Sequence, residues 1–283
     1  MIRAHVAIAP FDLVRSFALQ RFGLYDPTAE LSARKLRKAF SVGEGTCVVE
    51  ISADEGGLTI GADGAGEAEV LEDLKDALAT DDGSREFRPD HPLLAKLHRA
   101  RAGLRLVRAP WRFDVACCAV LQQRVTVREA WQEWQRIAKR YGSTEPGGLR
   151  AFPSAERVAR MDSWRFEELG VDPKRTRAMI GLARDVARRG TFGWKDVARV
   201  RKHMRAVRGI GPWTTEMTLG FGYGDPDALP LADLHLPHIV TWALAREAPG
   251  SDDRMVELLE PYRGQRFRAV RLLLDAGIAV PRG

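Results

Sequence analysis

The chain has 283 residues, 45% of them hydrophobic and 29% charged, a length and composition that suit about two folded domains and exclude disordered and fibrous classes. Its formal charge is +6, but the charge is uneven. Residues 1–90 hold 10 Lys and Arg against 17 Asp and Glu, whereas residues 91–283 hold 34 against 21, so the basic character belongs to the second region.

The opening MIRAHVAIAPFDL lacks the basic region, apolar block and cleavage site of a secretion signal, and no eighteen apolar residues run together. A cytoplasmic chain without a membrane span is expected. The runs AHVAIA (4–9), TCVVEIS (46–52) and GLTIGAD (57–63) read as strands between Gly and Asp turn signals, and the acidic, Gly-rich stretch from Asp54 to Gly66 predicts a hairpin turn. A helical stretch, EAEVLEDLKDALAT, follows. Residues 1–90 therefore read as a small α+β domain.

From His91 the pattern becomes helix after helix: LLAKLHRA, FDVACCAVLQ and VREAWQEWQRIAKRYG space their apolar residues three and four apart. Residues 91–283 read as all-α. Ser154 and Asp162 are N-cap candidates, and Arg175 to Arg189 places Met179, Ile180, Ala183, Val186 and Ala187 on one face before Gly190. Cys47, Cys117 and Cys118 suit neither a disulfide framework nor a metal cluster and read as small buried hydrophobes. Only 8 of the 44 basic residues are Lys. Arginine's planar fork suits bidentate phosphate contact, which points to a polyanion partner; the alternative is arginine usage set by coding bias on solvated helix faces.

Residues 195–222 are the most informative. Val197, Val200, Met204 and Val207 form a helical stripe, the chain breaks at Gly209-Ile210-Gly211, and Pro212 suits the first position of a new helix. The amide hydrogens at that helix start are free to face an anion, and a DNA phosphate fits there, with Ile210 plugging the hairpin into the core. An ordinary αα-corner is the alternative. Further on, Asp233 precedes an apolar helix containing Ile239, Trp242 and Ala243, where the helix dipole favours negative charge. A carboxylate fixed beside an anomeric carbon stabilises the sugar cation formed when an N-glycosidic bond breaks. The alternative is a plain N-cap.

The segments GLRLVRAPWRFDVACCAVLQQRVTVREAW, LRAFPSAERVARMDSWRFEELGVDPKRTRAMIGLARDVARRG, RAVRGIGPWTTEMTLGFG and LPLADLHLPHI, in that order, resemble the helix-hairpin-helix (HhH-GPD) DNA glycosylase superfamily, in particular its bacterial 3-methyladenine DNA glycosylase II members. The resemblance covers nearly the whole chain. It implies a small antiparallel sheet with helices at the N-terminus and a helix-hairpin-helix glycosylase region after it, acting as a monomer on double-stranded DNA with a damaged base and needing no cofactor.

The resemblance also assigns roles. Asp233 becomes the catalytic residue. Arg208, Gly209, Ile210, Gly211 and Thr214 become hairpin contacts to DNA, and the carbonyls of Arg205, Val207 and Gly209 become ligands for a monovalent cation. Bifunctional members carry a Lys where this chain has Trp213, and no Lys follows Lys202, which implies a monofunctional enzyme that leaves an abasic site. Trp213 matches an aromatic that packs on the flipped base, though core packing with Met217 is its alternative. Met217, Leu273 and Leu274 stand where related pockets carry aromatics, which implies a less aromatic pocket and puts broad alkylpurine specificity in doubt. The loop Leu121-Gln122-Gln123-Arg124 supplies the wedge that fills the emptied stack, with Gln123 or Arg124 as that wedge. His235 matches a phosphate contact. Arg268 and Arg271 read as a solvated helix face, with reach toward pocket or DNA as the alternative. Two other readings stay open: a metal-dependent hydrolase using Asp233, His235 and His238, and a non-catalytic DNA-binding module.

Overall fold

A computed structural model describes residues 1–8, 10–145 and 147–281. The chain opens with β1 (Ile2–Val6) and α1 (Leu13–Phe17), then forms β2 (Ala29–Leu31), β3 (Lys35–Val42), β4 (Gly45–Asp54) and β5 (Gly57–Gly64). These strands pair antiparallel in the order β1-β5-β4-β3-β2. The predicted hairpin turn joins β4 to β5, with Asp54 opposite Gly57. Glycine is needed at 57: its φ is +146°, and a Cβ there would lie 2.2 Å from the Val6 carbonyl oxygen of β1. The first predicted strand is present as β1; the final residue of its run, Ala9, lies outside the described residues. Helix α2 (Glu67–Ala79) covers β1 and β5 with Val70, Leu71, Leu74 and Leu78.

Strand β3 was not expected, because a charged residue occupies an inward position. Lys38 is 1% exposed; its Nζ donates to Thr28 Oγ1 at 2.6 Å and lies 3.0 Å from Asp114 Oδ2, with the rings of Phe22 and Trp134 within 5.5 Å. Burial pushes the Asp114 carboxyl up to about 6 against the attraction of Lys38. Asp26 accepts from the Trp134 indole N–H at 3.0 Å. This buried polar knot ties the sheet to the helices.

The second region contains α3 (Pro92–Ala100), α4 (Arg112–Leu121), α5 (Val127–Tyr141), α6 (Ala155–Arg160), α7 (Trp164–Glu167), α8 (Pro173–Arg189), α9 (Val197–Ala206), α10 (Pro212–Tyr223), α11 (Leu236–Ala245), α12 (Asp252–Leu259) and α13 (Arg266–Asp275). The all-α expectation needs one correction: a two-stranded ribbon, Ser143–Thr144 with Arg150–Ala151, follows α5 and packs against β3. Ser154 caps α6 by accepting from the Arg157 N–H at 3.2 Å. Asp162 caps nothing; Ser163 holds the cap position of α7, and the Asp162 carboxylate sits 3.9 Å from Arg165 Nε. Helix α8 starts two residues before Arg175, where Asp172 accepts from the Lys174 N–H at 2.8 Å. All three cysteines are buried, and burial pushes the Cys47 thiol up to about 11.

Two large apolar clusters carry the fold, beside a small one of Ala39, Val48, Leu149 and Ala151 among the described residues. One joins Val49, Ile51 and Ile60 of the sheet to Val120, Trp134, Met179, Met204 and Ile210 of the helices. The other joins Leu94, Leu236, Val240, Met255 and Leu273. The hairpin belongs to the first and α11 to the second, so the turn before α11 lies at their seam. No helix among the described residues is long and apolar enough to cross a membrane.

The solvated-face reading of Arg268 and Arg271 is overturned. Arg268 is 1% exposed and pairs with Asp82 at 3.1 Å; Arg271 is 3% exposed, donates to the Arg15 carbonyl at 2.8 Å and lies over the Phe221 ring. Burial lowers both guanidinium pKa values, that of Arg271 to about 10. Both arginines therefore serve α13 packing, with their charge directed inward.

Candidate active site

The hairpin forms where the glycines and Pro212 place it. Helix α9 ends at Ala206, Gly209 takes φ +88°, and α10 begins with Pro212 as its first residue. Ile210 is buried in the first cluster, as a hairpin plug should be. The two helices are tied by Glu216, which is 5% exposed: Arg201 grips its carboxylate at 2.9 and 3.0 Å, and Arg205 adds a bond at 2.8 Å.

The two glycines differ. A Cβ on Gly209 would lie 2.8 Å from that of Ala178, whereas a Cβ on Gly211 meets nothing and its φ is an ordinary −90°. Among the described residues nothing lies within 4 Å of that Cβ position, so the backbone at 211 is open to an outside group. Gly211 supplies no capping side chain and Pro212 has no N–H, which leaves the amides of Trp213 and Thr214 without an intrahelical acceptor. Arg208 is exposed beside them.

Asp233 lies at the seam and is half-buried. Its Oδ1 accepts from the N–H groups of His235 and Leu236, both at 2.8 Å, and so starts α11. Its Oδ2 accepts from the indole N–H of Trp213 at 2.7 Å. The structure thus joins the two sequence features that mattered most, hairpin and carboxylate, through one hydrogen bond. Trp213 is neither a buried core residue nor free.

Met217 follows Trp213 one turn along α10 and is also partly exposed. Phe221 continues that face, partly exposed and edge-on to Phe267 at 5.1 Å. It was missed, although the spacing 213, 217, 221 marks a single helix face. The face is therefore more aromatic than expected. Leu273 is corrected: it is 0% exposed within the second cluster, so it lines no open surface, and Leu274 packs partly buried beside that cluster.

The loop between α4 and α5 approaches the hairpin. Gln123 Nε2 donates to the Gly209 carbonyl at 3.1 Å and to Thr214 Oγ1 at 2.8 Å. That occupies the Gln123 amide nitrogen, and because the buried Thr214 side chain faces Gln123, what Thr214 offers an outside anion is its N–H. Gln122 turns back to Cys118 Sγ at 3.2 Å. Arg124 stands exposed at the loop with φ +59° and, among the described residues, makes no side-chain hydrogen bond or ion pair, unlike Gln123.

His235 is exposed, while His238 Nδ1 accepts from the Gly250 N–H at 2.9 Å. No three His, Cys, Asp or Glu side chains among the described residues converge on a metal position, so Asp233, His235 and His238 form no common centre. Of the carbonyls expected to hold a monovalent cation, that of Val207 accepts from the Ile210 N–H at 3.0 Å and that of Gly209 accepts from Gln123. Each keeps one lone pair for an ion.

Comparison with known proteins bears on the family of the chain. Residues 117–263 match the family model described as HhH-GPD superfamily base excision DNA repair protein. A DNA-3-methyladenine glycosylase of Bacillus subtilis (strain 168) is 27% identical over 180 residues, which are 61% of this chain and 59% of that protein. The chain thus spans less than two thirds of that relative's length. Among solved structures, a 3-methyladenine DNA-glycosylase from Archaeoglobus fulgidus superposes with a TM-score of 0.75 at 17% identity, over 99% of this chain and 100% of that one. A Clostridium acetobutylicum 8-oxoguanine glycosylase/lyase bound to double-stranded DNA gives 0.71 at 15% identity, over 95% and 93%. With its hairpin, carboxylate and fold in place and the model matching over half of its length, the chain belongs to the HhH-GPD superfamily of base excision DNA repair proteins.

Proposed function

We propose that this chain is a monofunctional DNA glycosylase that turns a damaged base, foremost an alkylated purine, out of duplex DNA and hydrolyses its N-glycosidic bond. The observation that carries the reading is the Asp233 carboxylate, held by three N–H donors, one of them the indole of the hairpin helix. As the bond breaks, its electron pair leaves with the base and the sugar becomes a cation. Asp233 stabilises that charge and takes a proton from the water whose oxygen adds to the anomeric carbon. The products are the free base and an abasic site.

Trp213 in place of a lysine, and no Lys beyond Lys202, favour hydrolysis without a Schiff base. The partly exposed indole and Phe221 suit electron-poor, cationic rings, and the name of the Bacillus relative agrees with that class. The amides after Gly211, together with Arg208, grip a phosphate, while Arg124 enters the emptied stack. In this division of labour residues 1–90 buttress the helical region 91–283, and the protein works as a cytoplasmic monomer.

The test uses duplex oligonucleotides, each with one modified base. Strand cleavage that appears only after alkali, on at least one alkylpurine, is the expected result. Cleavage without alkali would make the enzyme bifunctional, and silence across the panel with intact DNA binding would make the chain a non-catalytic module.

A further inference from the structure

The residue before Asp233 is Ala232, whose φ of +62° lies in the left-handed region that an L-alanine seldom adopts. Little packs around it: Ala232 is itself exposed, and the nearby Leu231 and Leu234 are 36% and 77% exposed. A hydrogen bond does reach it. The Ala232 N–H donates to Asp252 Oδ2 at 2.7 Å, from the first residue of α12. Asp252 is not needed as that helix's cap, because Ser251 Oγ already accepts from the Arg254 N–H at 3.2 Å. Its second oxygen, Oδ1, is buried with no hydrogen-bond partner among the described residues, so the hydrogen bonding of this carboxylate is spent on Ala232.

We infer that Asp252 is a positioning residue for the reaction: it clamps Ala232 in the left-handed conformation and thereby aims the Asp233 carboxylate at the Trp213 indole and the reacting sugar. A carboxylate is sensitive to such aim, since a displacement of about 1 Å can cost about 100-fold in rate. The inference rests on the catalytic reading of Asp233, and its test separates the two.

Two variants and two readouts are used. The Trp213 indole N–H resonance, assigned by its loss in Trp213→Phe, reports the hydrogen bond to Asp233 without any reaction. Single-turnover base release reports the chemistry, with DNA affinity measured in parallel. Asp252→Ala is expected to move the indole resonance toward that of a solvated indole and to slow release by about 10- to 100-fold, with affinity little changed. Asp252→Asn keeps an acceptor oxygen for Ala232 and is expected to restore both. An unmoved resonance in Asp252→Ala, or an equal loss in Asp252→Asn, would overturn the clamp, the latter by pointing to charge in place of position. A moved resonance in a protein whose wild type releases no base would leave the clamp standing and remove the catalytic role of Asp233.

Discussion

Replacing Asp233 by Asn keeps nearly every contact and removes the charge. The Asn carbonyl oxygen can still accept from the His235 and Leu236 amides at the Oδ1 position. Its NH2 group would face the Trp213 indole N–H, where two donors meet and the 2.7 Å bond is lost. Both residues are partly exposed, so water can take up the indole N–H, and the loss of stability is about 1 kcal/mol, a melting shift of roughly 2 to 4 °C. The catalytic loss is larger. A carboxylate about 4 Å from a sugar cation, at an effective dielectric near 20, contributes about 4 kcal/mol, which corresponds to roughly 1,000-fold in rate. Single-turnover base release from a lesion duplex, read after alkali, should fall by about that factor, while fluorescence anisotropy finds DNA affinity almost unchanged. A variant that keeps more than a tenth of the wild-type rate with its melting temperature intact would refute the assignment.

The hairpin glycines should separate stability from binding. Gly209→Ala meets Ala178 at positive φ and should lower stability by about 1 to 3 kcal/mol in thermal melts, whereas Gly211→Ala should melt like wild type and bind duplex DNA more weakly. Arg124→Ala should slow release of a paired lesion more than of the same lesion in a mismatch, where unstacking costs less; equal slowing would remove its role as wedge. Burial opposes ionisation of Asp82, but Arg268, the Leu106 N–H and Arg105 together hold its carboxyl below the usual range. A depressed folded value contributes stability that is present above the unfolded pKa near 4 and lost as pH falls through the folded one. The melting gap between wild type and Asp82→Asn should therefore be wide near pH 7 and close below about pH 4; a gap that is constant with pH would assign the effect to packing.

Where local signals agreed, the sequence could be read directly. The apolar stripe of α9, the glycines and Pro212 all pointed to one hairpin, and the structure places it within a residue or two. Strand β3 escaped because Lys38 interrupts its apolar pattern, and the reason a lysine is tolerated there, Asp114, lies on another element. The link between Asp233 and Trp213 joins residues 20 apart in sequence and exists only once α10 and α11 pack. Asp252, a further nineteen residues along, gives no periodic or motif signal at all. Side chains whose role is set by a distant partner remain invisible to spacing.

Charge shows the same limit in a form that bears on DNA binding. Composition assigns the second region a large positive excess, yet Arg105, Arg112, Arg175, Arg268 and Arg271 are each under 9% exposed and spend their donors inside the protein. Arg201 and Arg205 are likewise held by Glu216. Arg208 on the hairpin and Arg124 and Arg128 at its neighbouring loop are exposed and show no ion pair among the described residues, and these three remain available for phosphates. Counterion release then sets a slope of about −3 for the logarithm of affinity against the logarithm of salt, at about −0.9 per phosphate. A slope near −10 would mean that DNA runs over a much wider basic surface, and that the arginine-rich composition reports the interface more faithfully than the hairpin does.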